Sequence, residues 1–513
     1  MGISTLRTTT ALAAVLLSSP AWAVTPAEVW QSWQDMATSY GQTLTSESVE
    51  EGDDAITVSG LTMTQDQDGV TSEMTISELV FTDNGDGTVD VSMPEVIPLT
   101  VTTPPAEGET SPTTVTLSIT QTDLSMTATG EAGAVGYDFA SSETSIKVDR
   151  IEGVKAEAVD LVAEAKLADL EGSYSVEGSG ADAALSYDAS AASMNLTVSG
   201  KDPDPSPSAD GTATGPTDLN LVISMADLSV SGEGTPINTA MMEDFAKALA
   251  GGADSQGEVS AGATTMVFDV VEAGKATHME MSGASTGLSF GLGPDGFGYG
   301  ATAKDVKMMV KGDDIPFPQV DVAYAEAAFD LQIPVVKKDT PQDFVLLSKL
   351  VDFTISDDIW AMFDPTNQLP RDPATIVIDT KGTATVTADI MDPAAMESMQ
   401  TPPGELNSFD VTELRAKVAG AELTGAGSFT FDNTDLVTFG GFPTPTGKLE
   451  LKLTGGNGLL DKLVAMGMFA EDEAMGFRMM LGMFANTSPD KDEMTSTLEF
   501  KDKGFFANGQ RLQ

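Results

Sequence analysis

From residue 55 onward, apolar residues recur at every second position. Val89, Val91 and Met93 alternate with polar residues, as do Val115, Leu117 and Ile119, then Leu219, Leu221, Ile223 and Met225. The pattern continues through Met266, Phe268 and Val270 and through Leu288, Phe290 and Leu292. The positions between are mostly Thr, Ser and Asp, so each run predicts a half-buried antiparallel strand with one apolar and one polar face. Asp66-Gln67-Asp68-Gly69 and Asn84-Gly85-Asp86-Gly87 separate such runs. Both predict hairpin turns, because Gly and Asn accept the positive φ of a tight turn. Similar strings recur at 61–64, 124–130, 194–200, 228–232 and 279–283 without a fixed period, which predicts a meander of like strands rather than a solenoid. The stretch 154–170 fits both periods and is assigned as strand. The Pro-rich segments 102–114 and 201–217 predict loops, since proline and small polar residues do not extend a ladder.

Helical spacing interrupts this pattern in a few places. Thr25 can cap a first helix, Pro26 suits its first position and Glu28 completes a capping box. Val29, Trp30, Trp33, Met36, Ala37 and Tyr40 share one face, and Gly41 ends the helix. Packing on the chain's own sheet is the expectation for that face, with docking of Trp30 and Trp33 on a membrane or partner as the alternative. Further helices are predicted at 237–250, 341–363 and 393–400, and as an amphipathic pair at 457–484. Strands at 494–501 and 504–512 close the chain. The fold class is mainly β with short helices: an elongated, twisted antiparallel meander, groove- or sandwich-like, with helices packed on its apolar face. The organisation reads as a leader (1–23), an amphipathic helix (24–46), a β-meander with Pro-rich loops (47–235), a β region with inserted helices (236–400) and a C-terminal β region with the helical pair (401–513).

Composition narrows the chemistry. Among 513 residues there are 26 Lys plus Arg against 78 Asp plus Glu, for a formal charge of −52, with no Cys and one His. Such a charge repels phosphate backbones, so no nucleic-acid partner is expected. Without Cys there are no disulfides, thiolate sites or acylated N-terminal cysteine. One His leaves no imidazole cluster for zinc or iron. Residues 1–23 read as an export leader: Arg7, an apolar stretch Ala11 to Leu17, and an A-x-A cleavage site at Ala21-Trp22-Ala23. Cleavage near Ala23/Val24 implies a periplasmic mature chain, and no later segment reads as a transmembrane span.

Four motifs were weighed as chemistry, and none survives. Gly283-Ala284-Ser285-Thr286-Gly287 matches G-x-S-x-G, but a strand follows it and the single His278 lies upstream, opposite to the nucleophile-elbow arrangement. Ser488-Pro489-Asp490-Lys491 matches S-x-x-K in a polar break without partner motifs. Met279 and Met281 could offer thioethers to a soft metal, but in a strand His278 points to the other face. Asp83-Asn84-Gly85-Asp86-Gly87 resembles an acidic calcium loop, yet Gly85 stands where an oxygen ligand is required. No catalytic, cofactor-binding or metal-ligating residue is therefore assigned, and no cofactor.

Three stretches carry a family resemblance. Thr25-Pro26-Ala27-Glu28-Val29-Trp30 with Trp33, Ile359-Trp360-Ala361-Met362-Phe363-Asp364-Pro365 continuing to Leu369-Pro370-Arg371-Asp372-Pro373, and Phe500-Lys501-Asp502 to Asn508-Gly509-Gln510-Arg511-Leu512 resemble an exported alphaproteobacterial family, domain of unknown function 2125. Its general style is similar to the AsmA-like and YdgA-like envelope proteins, which implies a strand-rich, elongated, groove-forming body; no catalytic residues are established for the family, so none is carried over, and the resemblance leaves mechanism open. The expectation is a non-enzymatic envelope protein whose β-groove binds lipid or acyl chains. A structural or protein-interaction module with a fully packed face is the alternative, and a hydrolase using acidic residues comes third.

Overall fold

The computed structural model describes residues 23–105, 111–153, 160–178, 183–202, 216–235, 245–388, 390–391, 397 and 402–513. Residues up to 22, which cover nearly all of the expected leader, the centres of both Pro-rich loops, residues 154–159 and most of the helices expected at 237–250 and 393–400 lie outside them.

All described strands join one antiparallel sheet. It begins at an edge made by Thr43–Thr45 and Ser48–Glu51, which both pair with Ala55–Gln67, and ends at Gln510–Arg511. About twenty strand rows at the ordinary 4.8 Å spacing make a ribbon roughly 95 Å along its contour. The expected mainly β meander is therefore what forms. Gly69 follows Asp68 in a two-residue turn where both have positive φ, as the sequence predicts. Residues 160–170 belong to the strand Asp160–Glu177. The ladder continues past residues 235 and 400, through Thr217–Gly234 on Ser255–Ala261 and Ala374–Val386 on Gly404–Val418.

Two pairs of neighbouring rows are split in the same way. Val96–Thr103 and Thr113–Thr122 form a hairpin nested inside the paired strands Val89–Ser92 and Ser125–Glu131. Thr264–Glu272 and Lys275–Gly283 form another inside Ser255–Ala261 and Ser285–Gly293. A crease runs from one split pair to the other and beyond. Asp123, Asp169, Asp227, Asp305 and Asp352 all have φ between 49° and 53°, a left-handed conformation that Asp tolerates better than most side chains. The register aligns them. Asp169 and Asp227 flank Ala192, because Ser193 pairs with both Ala168 and Ala226. Asp305 and Asp352 flank Ala325, because Glu326 pairs with both Lys304 and Val351. At each such residue the ladder is interrupted and the strand bends, and at Asp352 the pairing with Ala374–Val386 also shifts register between Leu350 and Phe353. On the apolar side of this line Ser141, Ala191, Ala261, Thr264 and Val306 are buried, whereas Asp227 and Asp305 are exposed. The sheet therefore bends towards its apolar side, as a gutter.

Helix α1 (Pro26–Ser39) starts with the expected box: the Glu28 amide donates to Thr25 Oγ1 at 3.4 Å and the Thr25 amide to Glu28 Oε2 at 2.9 Å. It lies on the sheet at the N-terminal end. Val29 is fully buried with Val58, Leu61, Leu79, Phe81 and Val89, each contributing roughly 1.5–3 kcal/mol by leaving water. Trp30 and Trp33 close on Phe81 at 6.0 and 5.9 Å between ring centres, so these indoles dock internally. The other described helices are α2 (Phe245–Ala250), α3 (Asp357–Phe363), α4 (Gly456–Ala465) and α5 (Glu471–Phe484). The pair α4 and α5 corresponds to the amphipathic pair read at 457–484.

The helix expected over 341–363 is corrected. Gln342–Ile355 is a strand and only the end, α3, is helical. Thr340-Pro341 imitates a helix start, and Leu346, Leu347, Leu350 and Val351 satisfy both periods. Between two long strands, however, the segment gains ladder partners on both edges, as Leu346 does with Leu331 and Thr380. Pairing of this kind overrides a local pattern.

Candidate functional site

Residues paired directly across antiparallel strands share a face of the sheet. Following one rung gives Ile146, Ala165, Leu196, Ile223, Met266, Met281, Met308, Val322 and Ile355, apolar on nine successive strands. On the other side of the crease a second rung runs through Ala189, Val230, Val259, Leu288, Ala301 and Phe329. The period-two pattern of separate segments thus merges into one apolar surface. At the far end it is aromatic: Phe429 and Phe439 meet Phe500 at 6.1 and 5.7 Å, and Phe505 stacks on Phe500 at 4.8 Å.

This surface is covered at one end and bare in the middle. Under α1 its residues have no access to water. Leu288 is 51% exposed, Val259 47%, Phe290 41% and Ile376 50%, and nothing among the described residues lies over them. Phe290 touches Phe297 at 5.8 Å and Tyr299 touches Phe329 at 6.2 Å, so the aromatic rings pack edgewise on the sheet rather than under a second layer. A contiguous exposed apolar surface of this kind is the candidate binding face. A cleft of about 760 Å³ on the polar side, lined by Gln256, Asp330, Gln332 and Asp343 among others, is open.

At the covered end, Tyr174 reaches Met36 of α1 with its hydroxyl 3.1 Å from the sulfur. Burial, reinforced by Tyr40 and Tyr137, pushes that phenol up to about 12. It is a packing group, neutral throughout the physiological range.

The weighed motifs fall where their neighbours predict. Ala284 is the turn between Lys275–Gly283 and Ser285–Gly293, so Ser285 opens a strand. His278 and the two methionines separate onto opposite faces: Met279 pairs with Phe268 and Val310, while His278 pairs with Asp269 and Lys311. His278 Nδ1 lies 2.6 Å from Asp269 Oδ1 and Nε2 3.2 Å from Glu280 Oε1. The hydrogen bond to Asp269 raises the imidazole pKa, desolvation opposes it, and Glu280 adds to the rise. Asp83–Gly87 is a turn in which Asp83 and Asp86 accept amide hydrogen bonds from Gly85 and Thr88. Ser488 ends a short strand before a single 3-10 turn. Among the described residues no cluster of three His, Asp or Glu forms a cation cage. Sequence reading named no residue of the exposed face as a site. The alternation at Leu288 and Phe290 showed that a face exists, and nothing local says whether a layer covers it.

The fold and this surface define a class: an antiparallel β-ribbon that carries one long apolar face, partly open. Residues 270–509, just under half of the chain, match the family described as an uncharacterized protein conserved in bacteria (DUF2125), the same family that the motifs resemble. The Trp360 and Phe500 motifs fall in the matched region or overlap it; the Trp30 motif lies before it. No protein of curated function and no solved structure matches the chain.

Proposed function

We propose that this is a non-enzymatic envelope protein that holds lipid acyl chains along the open apolar face between Val259 and Ile378. One observation carries the reading: cross-strand register makes that face continuous over many strands, yet its Leu, Val, Phe and Ile side chains stand one third to one half exposed. Each methylene of a bound chain that leaves water there gains about 0.8 kcal/mol, and soft methionines such as Met266, Met281 and Met308 adapt to differing chain shapes. The carboxylates speak against acid–base work. Among the described residues each one with a displaced pKa is displaced downward (Asp86, Asp269, Asp364, Asp432, Asp435, Glu493), whereas a general acid needs it raised.

The protein works in the periplasm after loss of residues 1–23. Supporting this, Val24, the first residue after the A-x-A site, is buried and its amide donates to Gly87 O at 3.1 Å, so the fold takes hold at the cleavage point. Among the described residues no helix is long and apolar enough to cross a membrane. The test is lipid extraction and mass spectrometry of mature protein purified gently from its native periplasm. Stoichiometric lipid, absent from a control periplasmic protein, is the expected result. Protein that is empty, and stays empty after incubation with vesicles, overturns the reading in favour of a structural or interaction module.

A further inference from the structure

The second helix of the C-terminal pair, α5, is inverted relative to an ordinary surface helix. In α5 the charged residue turns inward: Arg478 Nε donates to Asn457 Oδ1 at 3.2 Å and its guanidinium also pairs with Asp461 of α4. Ala474 is buried on the same side. Outward, Met475, Met479 and Met483 form a row with a spacing of four, 60%, 70% and 61% exposed, flanked by Phe477 and Met480. A soluble surface helix places its polar residues on this side. The acidic residues of α5 are confined to its first turn, Glu471 to Glu473; Glu471 heads the outward row, and from Met475 to Met483 the row is uncharged. The exposed end of α3, Met362 and Phe363, lies at the same end of the strands: the loop after it meets Gly420 through Pro370, and Gly420 is in turn against Gly455 at the start of α4.

Charge decides what fits on this row. A chain of formal charge −52 repels a second copy of itself and any anionic surface, while the row from Met475 to Met483 has no charge to attract either. A neutral, apolar partner remains, and a fourteen-residue helix with its backbone bonds satisfied internally can lie in the plane of a bilayer interface. We propose that α5 docks the protein on a zwitterionic lipid surface, with the Met475–Met479–Met483 row entering the boundary between headgroups and acyl chains. This goes beyond the acyl-binding reading and does not depend on it, since a protein could dock and carry nothing.

The experiment uses the mature full-length chain and phosphatidylcholine vesicles. Co-sedimentation is expected, falling when phosphatidylglycerol is mixed in at low salt and recovering as salt screens the repulsion. The double variant Met475→Glu, Met479→Glu should lose at least tenfold in vesicle partitioning. Because the natural chain has no cysteine, Met479→Cys provides a single labelling site, and a polarity-sensitive dye there should shift to the blue on vesicle addition. Wild-type protein that stays in the supernatant, together with an unshifted dye on the labelled Met479→Cys variant, overturns the proposal. So does a wild-type dimer in sedimentation velocity that the double variant dissociates, which would make a second copy the occupant.

Discussion

At Phe81 the apolar face of the sheet is sealed: two indoles from α1 lie against the ring, and Val58, Leu61 and Leu79 around it are out of contact with water. At Leu288, on the same sheet with the same alternation, half of the side chain meets solvent. The strands differ little in composition, and the difference comes from what the chain lays over them. A helix with Val29, Trp30 and Trp33 on one face converts the first stretch into a core. The stretch from Val259 to Ile378 has no such cover among the described residues. Stability and binding are therefore expected to reside in different parts of one sheet.

The largest effect that would break this contrast is at the sealed end. Phe81→Ala should cost about 3–5 kcal/mol, as for other large-to-small changes in a packed core. It can be read from the urea midpoint, with Trp30 and Trp33 as the fluorescent reporters. A loss below about 1 kcal/mol would mean that α1 is not the seal. Leu288→Asn in the open stretch should change stability by less than about 1 kcal/mol while lowering the amount of co-purified lipid. If it destabilises the chain as much as Phe81→Ala, that face is covered after all.

The smallest effect concerns the polar side of the open stretch. His278 has its pKa raised by the hydrogen bond to Asp269, opposed by desolvation and helped by Glu280. A raised folded value means that the pair's contribution is present below the ordinary imidazole value of about 6.5 and is lost as pH rises through the higher folded value. All three groups are solvent-accessible, so screening keeps the effect on stability slight. The titration itself is easily seen, because this is the only histidine. Its ring proton resonances should titrate above the ordinary value, and Asp269→Asn should bring them back towards it. A midpoint that the substitution leaves in place would show that the pair does not persist in solution.

Features set by near neighbours were legible in the sequence. Thr25, Pro26 and Glu28 specify the start of α1 within four residues, and Asp68-Gly69 specifies its turn within two. Features that depend on distant partners were not. Gln342–Ile355 carries both periods and is decided by the strands on either side. Asp169, Asp227, Asp305 and Asp352 read as ordinary polar positions, and only the register of neighbouring strands reveals that they share a line. The exposure of Leu288 and Ile376 was likewise hidden, because a period reports that a face is apolar and is silent about its cover. The inward turn of Arg478 depends on Asn457 and Asp461 of the preceding helix, a partner that helical spacing within α5 cannot supply.

The crease also acts as a ruler. Its profile is set locally, by a left-handed aspartate on alternate strands or by the break within a split row, so the cross-section of the gutter does not depend on how many strands there are. Its length does. One additional hairpin bearing its own aspartate would extend the gutter by roughly 9.6 Å, two strand spacings, and leave its width unchanged. Insertions and deletions of a whole hairpin should thus be tolerated where a single-strand change, which puts the next aspartate out of phase and reverses strand direction, is not.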